Sequence, residues 1–290
     1  MKFGYHTIRW GLGERIARLF PVILHEISKA GYEGFETHEA EILPFLRGRD
    51  KFLRILSETE MQLASIVKFI GGYDRLASIV RSIGYDRSLI RHLCWHLALR
   101  KDLQRITRLA EFAASVGCKR LVILGGGKKT KRGAREKDYV KLANALNKIG
   151  KKCNNVNIKA TYHPHLGTIV EHRDQIDRLC ELIDPDLIHL TLDTAHLTAG
   201  GVDLIDIINT YRGRINHIHF KDLRNGRFME LGKGTINFPA IINSLKSIGY
   251  HGWIIVEDEV NCGTPYAGSS TKTPFESAKN SKKYIDTHLR

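Results

Sequence analysis

The chain has 290 residues, 42% of them hydrophobic, and is long enough to bury a full core. This composition excludes a disordered chain, a collagen and a small disulfide scaffold, since the five cysteines are scattered and form no C-x-x-C pair. The net charge is +14, and because no apolar run suits a membrane span or a signal peptide, we expect a cytoplasmic protein with no membrane partner.

Short β-rich runs alternate with longer amphipathic stretches along the whole chain. The predicted strands are, in chain order, residues 2–6, 33–37, 62–68, 119–124, 157–163, 187–193, 215–220 and 252–257. Helical spacing of apolar residues is clearest over 176–183 and 241–248. The second of these helices has Asn237 as its expected N-cap and Gly249 just past its end.

Strands that alternate with helices predict a parallel sheet, and eight such units in about 250–300 residues predict a closed (β/α)8 TIM barrel. We expect one α/β domain over residues 1–290, because no linker interrupts the series. An open, doubly wound sheet is the alternative. The longest excursion, residues 71–100, is expected to cover the mouth of the barrel.

Polar residues close the last four strands of the predicted barrel. Period-two alternation turns the apolar residues toward the helices and leaves an inward set of His163, His165, Asp193, His219 and Glu257. Converging oxygen and nitrogen atoms suit a divalent ion such as Mn, Co, Mg or Zn, because paired buried carboxylates are costly without a cation. The alternative is that Asp193 and Glu257 cap the helices that follow. His189 and His217 lie one layer deeper and are expected to be hydrogen-bonded core residues.

With these residues placed, the chain resembles the xylose-isomerase-like sugar isomerase/epimerase superfamily over nearly its whole length. The matching segments are YHPHLGTIVE (162–171), LDTAHLTAGGVD (192–203), RINHIHFKDLR (214–224), FMELGKGTINFPAI (228–241) and GYHGWIIVEDE (249–259). Together and in this order they are most similar to the inosose dehydratase branch, whose members remove water from a keto-inositol.

The resemblance implies one divalent metal ion, held by Asp193, His219 and Glu257. The isomerases have a glutamate as fourth ligand, whereas this chain has His163 at that position. His163 is therefore the expected fourth ligand, with His165, Glu171 or a water molecule as alternatives.

The resemblance also implies removal of a proton next to the carbonyl of a keto-polyol or sugar, with the metal stabilising the enediolate. Glu257 or His165 is the candidate to move the proton, and His196 matches a histidine that contacts substrate in the isomerases. Further candidate substrate contacts are Lys221, Arg224, Trp10, Glu36 and Lys68. Loss of water, isomerisation and epimerisation all remain open as outcomes.

Residues 101–152 carry fifteen basic and four acidic side chains. We interpret this stretch as a solvated helix face and a basic loop, with capture of an anionic sugar by residues 128–137 as the alternative. Apurinic-site endonucleases share the barrel and the Asp193–His196 spacing, but Gly226 and Phe228 stand where those enzymes have zinc ligands, so nucleic acid is not the expected partner. A non-catalytic sugar-binding barrel is the remaining alternative. The resemblance also implies assembly into homo-oligomers.

Overall fold

Eight parallel strands close into a barrel in the computed structural model of the chain. The structure describes residues 1–70, 87–126, 133–261 and 265–289, with side chains outside residues 87–100. The strands are β1 Lys2–His6, β2 Gly34–His38, β3 Gln62–Ile70, β4 Arg120–Gly125, β5 Lys159–His163, β6 Ile188–Asp193, β7 Ile215–Phe220, β8 Asp222–Arg224, β9 Arg227–Met229 and β10 Trp253–Val256. Of these, β8 and β9 form a separate antiparallel ribbon.

The order of strands around the barrel is β1, β10, β7, β6, β5, β4, β3 and β2. Because β1 pairs with both β2 and β10, the sheet has no free edge. The predicted TIM barrel is confirmed, and the open doubly wound sheet is wrong. Each of the eight predicted strands is present, with ends that lie within two residues of the prediction.

Helices follow the barrel strands and pack on the outside of the barrel. They are α1 Glu14–Arg18, α2 Phe20–Lys29, α3 Glu39–Ile42, α4 Arg49–Thr59, α5 Arg87–Ser115, α6 Glu136–Asn154, α7 Arg173–Leu182, α8 Thr194–Ala199, α9 Leu204–Thr210, α10 Phe238–Ser247 and α11 Pro274–His288. The side chain of Asn237 accepts a hydrogen bond from the Ala240 backbone N–H and caps α10 as predicted. None of the helices in the described residues combines the length and hydropathy that a membrane crossing needs.

Alternation along the strands separates the core from the site. The outward residues Tyr162, Leu190, Leu192, Ile218 and Phe220 all belong to the main apolar cluster, which they share with the helices. Their neighbours along each strand must therefore point to the barrel axis. This places His163, Asp193 and His219 inside, at the carboxyl ends of β5, β6 and β7.

Two segments of functional interest fall partly outside the described residues. The first segment is the excursion expected to cover the mouth, of which residues 71–86 lie outside the described residues. The chain is helical from Arg87 to Ser115. Residues 127–132 of the basic loop are also outside. Before that loop, Gly125 has a φ of +101° and no room for a side chain beside the Ile70 carbonyl, as a tight turn after β4 requires.

Gly34 is a position in the barrel where a side chain does not fit. A Cβ atom there would lie 2.6 Å from the Gln62 carbonyl oxygen and 2.6 Å from the Trp253 ring. We expect Gly34→Ala to lower the free energy of unfolding by about 1–3 kcal/mol, because the neighbouring strand must shift. Gly213→Ala, which meets open space, should change it by less than about 0.5 kcal/mol. Equal stability of the two variants in urea unfolding would contradict this packing.

Candidate metal centre and active site

Asp193 ends β6 and uses its two carboxylate oxygens differently. Oδ1 accepts a hydrogen bond from the His196 backbone N–H at 2.8 Å and so caps α8. Oδ2 is buried inside the barrel and makes no well-aligned hydrogen bond, although the Lys221 ammonium lies 3.3 Å away. The helix cap considered as an alternative to metal binding is thus present, and it leaves one oxygen of Asp193 available to a ligand.

Four buried side chains from four strand ends converge around this oxygen. His163, Asp193, His219 and Glu257 place one donor atom each within 4.8 Å of the others, and we call them the inner group. His219 Nδ1 lies 3.0 Å from Glu257 Oε2 and 3.8 Å from Asp193 Oδ2, while His163 Nε2 lies 4.0 Å from Asp193 Oδ2. Three of these atoms, Asp193 Oδ2, His219 Nδ1 and Glu257 Oε2, are buried and form close ion pairs rather than well-aligned hydrogen bonds.

The inner group therefore fits a divalent ion. Its spacing approaches that of donors around an ion held at about 2.0–2.2 Å, and two buried carboxylates in one site need cationic compensation. His163, the expected fourth ligand, lies in this cluster, and its role as a ligand stays a prediction. The carboxylate of Glu171, the alternative, instead accepts from the Gly167 N–H and lies 2.9 Å from His172 Nε2, and it is not among the clustered donors of the described residues.

Glu36 lies beneath the inner group and is completely buried. Its carboxylate is 2.9 Å from His219 Nε2 and 2.8 Å from His217 Nε2, and it accepts a hydrogen bond from the Ser65 hydroxyl. His217 is thus a hydrogen-bonded core residue, as expected. The buried position of Glu36 favours a role in orienting His219 over the substrate contact predicted from the sequence.

Lys221 crosses the mouth with a buried ammonium group. Its Nζ atom lies 3.3 Å from Asp193 Oδ2, 3.2 Å from Glu257 Oε2 and 2.6 Å from Glu259 Oε1. It is also 3.2 Å from His196 Nε2. Lys221 was expected to be a substrate contact, and the structure brings it into direct contact with two members of the inner group.

A second set of donors, which we call the outer group, adjoins the first. It consists of His165, His196 and Glu259, whose donor atoms also lie within 4.8 Å of one another. The two imidazole rings are 3.8 Å apart, and both Nδ1 atoms contact the backbone of Leu166. Sequence reasoning missed Glu259, which lies in the loop after β10, beyond the residues to which strand alternation applies.

Burial and neighbouring charges shift the pKa values of these groups strongly. Burial lowers the pKa of His219, but Glu36 and Glu257 outweigh it and raise this pKa to about 10. Burial raises the pKa of Glu259 to about 7 against the lowering effect of Lys221. Burial and then Lys221 lower the pKa of His165 to about 4. The pocket thus holds cationic and anionic groups that compensate one another.

Lys221 and Asp222, which directly follow β7, shape the rim of the site. The Asp222 carboxylate accepts hydrogen bonds from the backbone N–H groups of Gly232, Gly234 and Ile236, which fixes the loop that follows the ribbon. Phe228, in β9 of that ribbon, packs edge-on against His196 and lies 4.8 Å below the Lys221 ammonium. An apolar ring therefore occupies the position where the endonucleases were expected to have a zinc ligand.

The remaining predicted substrate contacts lie away from the donor groups or have other partners. Arg224 is exposed on the ribbon. The Trp10 indole N–H donates to Glu26 at 2.7 Å, and the Lys68 ammonium lies 2.7 Å from Glu39. Lys68 also pairs with Asp102. Contact of these three side chains with a substrate stays a prediction.

Comparison with known proteins places the fold in a family. The model of the xylose isomerase-like TIM barrel family matches residues 24–284. The chain belongs to this family. The membership expected from its sequence motifs is therefore confirmed.

Curated relatives of this family member carry the name predicted from its motifs. The inosose dehydratase of Geobacillus kaustophilus is 29% identical over 324 aligned positions, which cover 98% of this chain and 94% of that enzyme. The inosose dehydratase of Lacticaseibacillus casei is 36% identical over 171 positions, which cover 52% of this chain and 55% of that enzyme. The second match thus spans about half of each protein.

Solved structures of the same fold include an epimerase and a zinc-containing protein. The 3-keto-D-glucoside 4-epimerase from E. coli has a TM-score of 0.72 at 19% identity, with 99% of both chains covered. The IOLI protein, whose crystal structure contains a zinc atom, has a TM-score of 0.69 at 16% identity, with 99% of this chain and 97% of that chain covered. At these identities the likeness supports the fold alone.

Proposed function

We propose that the protein is an enzyme that removes a proton next to the carbonyl of a keto-polyol or sugar, in the manner of an inosose dehydratase, with one divalent metal ion. The observation that carries this proposal is the inner group, in which four buried donors converge at the mouth of the barrel. The relatives named inosose dehydratase support the substrate class, an inosose or a similar small polyol ketone.

His163, Asp193, His219 and Glu257 are the residues that would hold the ion. Two imidazoles and two carboxylates suit Mn, Co or Zn, since imidazole favours the later transition metals and carboxylate favours harder ions such as Mg and Mn. A divalent ion bound there would withdraw electron density from a substrate carbonyl oxygen and thereby acidify the neighbouring C–H group.

Other side chains of the mouth would bind the substrate and handle protons. The Lys221 ammonium has three N–H donors and lies beside the inner group, where it can hold a carbonyl or hydroxyl oxygen. His165 is partly exposed above it and can take a proton from a substrate carbon, as can the carboxylate of Glu257. His196 packs between the rings of His165 and Phe228. It would hold the His165 imidazole in position and exclude water from it.

The test is incubation of the protein, loaded separately with Mn, Co, Zn or Mg, with an inosose in D2O. For a dehydratase we expect a product that has lost one water, found by mass spectrometry, and substrate that gains deuterium at the α-carbon. Deuterium gain with an unchanged heavy-atom formula and a new stereoisomer would instead identify an isomerase or epimerase. Neither loss of water nor deuterium exchange with any of the four ions, on inososes and keto-sugars alike, would contradict the proposal and favour a binding role.

A further inference from the structure

Three sets of side chains in the described residues could hold a cation, and a single side chain, Lys221, reaches two of them, the inner and outer groups. The third set, Glu36, His217 and His219, is joined by its own hydrogen bonds and ion pairs. Lys221 Nζ contacts Asp193 and Glu257 of the inner group, and Glu259 and His196 of the outer group. Its shortest contact is to Glu259 in the outer group, at 2.6 Å. The lysine is 1% exposed, so its charge is compensated by these neighbours and not by water.

The outer group without Lys221 would have the ligand types of a metal site. A carboxylate and two imidazoles are a common set for Zn or Co, and their donor atoms lie within 4.8 Å of one another. An ammonium ion, in contrast, has only N–H donors and cannot be a metal ligand while it is protonated. Its charge would also repel a second divalent ion at this position.

The surroundings of Lys221 keep its ammonium in place. Phe228 lies under it at 4.8 Å, with the ring face turned toward the cation. Glu259 is buried and has no salt bridge other than that to Lys221 in the described residues. Removing the lysine would therefore leave a buried carboxylate beside two imidazoles, without the cation that now compensates it.

We propose that, when the inner group holds its ion, the Lys221 ammonium occupies the adjoining outer position, so that the protein binds one metal ion and presents an ammonium where a second ion would otherwise lie. This inference rests on the proposed function, in that the inner group is taken to hold the metal. It assigns Lys221 and Glu259 as the residues that set the number of ions and give the second position hydrogen-bond donors for substrate oxygens.

The test is the metal content of purified variants after saturation with Co or Zn and removal of loosely bound ions. Wild type should hold one ion per chain, and Lys221→Met should hold two. Lys272→Met is the matched control, since the Lys272 ammonium also pairs with a buried carboxylate, that of Glu230 at 2.8 Å, but lies outside both groups. It should hold one ion. A folded Lys221→Met protein with one ion, or wild type with two, would overturn the inference.

Two histidine variants test the same inference without relying on the fold of Lys221→Met. His196→Gln should keep one ion per chain, because the outer group holds no metal, whereas His163→Gln should bind the ion at least tenfold more weakly. In a Lys221→Met background, His196→Gln should return the content from two ions to one. Loss of the ion in the single His196→Gln variant would overturn the inference. A wild-type protein that binds no ion at all would instead contradict the proposed function itself.

Discussion

Asp193→Asn is expected to lower kcat/KM by about 1,000-fold or more and to abolish stoichiometric metal binding. The inner group loses a charged oxygen that would support several kcal/mol of transition-state stabilisation. The amide oxygen can still accept from the His196 N–H, so α8 should keep its cap and the barrel its fold. Asp193→Ala removes cap and ligand together and should cost about 1 kcal/mol of stability in addition.

The control for this prediction is Asp203→Asn, because Asp203 caps α9 through hydrogen bonds to the Ile205 and Asp206 backbone N–H groups. It makes the same chemical change at a helix start that is remote from the donor groups. Activity and metal content should stay at the wild-type level. The decisive measurements are kcat/KM and elemental analysis on the same samples, with circular dichroism to verify the fold. Wild-type turnover by folded Asp193→Asn would exclude this carboxylate from the chemistry.

Glu36→Gln is expected to weaken metal binding by about 10–100-fold without removing any ligand. A carboxylate that accepts from one ring nitrogen of a histidine orients the ring and makes the other nitrogen a better donor. Glu36 lies 2.9 Å from His219 Nε2, on the side of the ring opposite to Nδ1 in the inner group. An amide keeps the shape of Glu36 but loses its charge, so His219 would be held less firmly.

Truncation at the same position should affect folding as well. Glu36→Ala leaves two buried histidines and Ser65 without their common partner and should destabilise the protein by about 3–5 kcal/mol. Glu41→Gln is the control, since Glu41 is also fully buried but accepts from the Gly13 N–H and lies outside the donor groups. Metal titration should separate Glu36→Gln from Glu41→Gln, and equal affinities would mean that Glu36 does not support His219.

The sequence predicts the strands and their inward residues well because that information is local. Alternation within β6 and β7 is enough to place Asp193 and His219 on the barrel axis, and the main apolar cluster confirms the outward set. Alternation shows only that oxygen- and nitrogen-bearing side chains converge, which suits a metal ion. The family motifs then add the expectation that one is bound. The number of strands and the direction of their side chains need no knowledge of distant contacts.

The position of a side chain along the barrel axis depends on how its strand is aligned with the neighbouring strands. A single strand's sequence does not contain this information, so sequence reasoning predicts it less well. Glu36 is a predicted substrate contact, but its carboxylate lies against His217, His219 and Ser65, and β2 shifts register against β3 between Phe35 and Glu36. A similar shift between Leu190 and Thr191 changes how β6 meets β7. Such irregularities depend on how two strands pack together, and neither strand alone reveals them.

Inspection of the strand ends also does not reveal which helix residues will form ion pairs or hydrogen bonds with the candidate site residues. The contact of Lys68 with a substrate stays a prediction, and its ammonium pairs with Glu39 of α3 and Asp102 of α5, which the strand pattern does not indicate. The Trp10 indole likewise donates to Glu26 of α2. Glu259 lies beyond the end of β10, so its contact with Lys221 follows from the path of the loop and not from periodicity.

Closure of the barrel by β10 has a consequence for how the protein matures in the cell. Glu257, which follows β10, is made after the three other donors of the inner group, and β10 must insert between β1 and β7 before it joins them. A chain still emerging from the ribosome therefore has two imidazoles and one carboxylate but no finished site. Binding of the proposed metal ion by all four donors would therefore have to follow synthesis of the last strand.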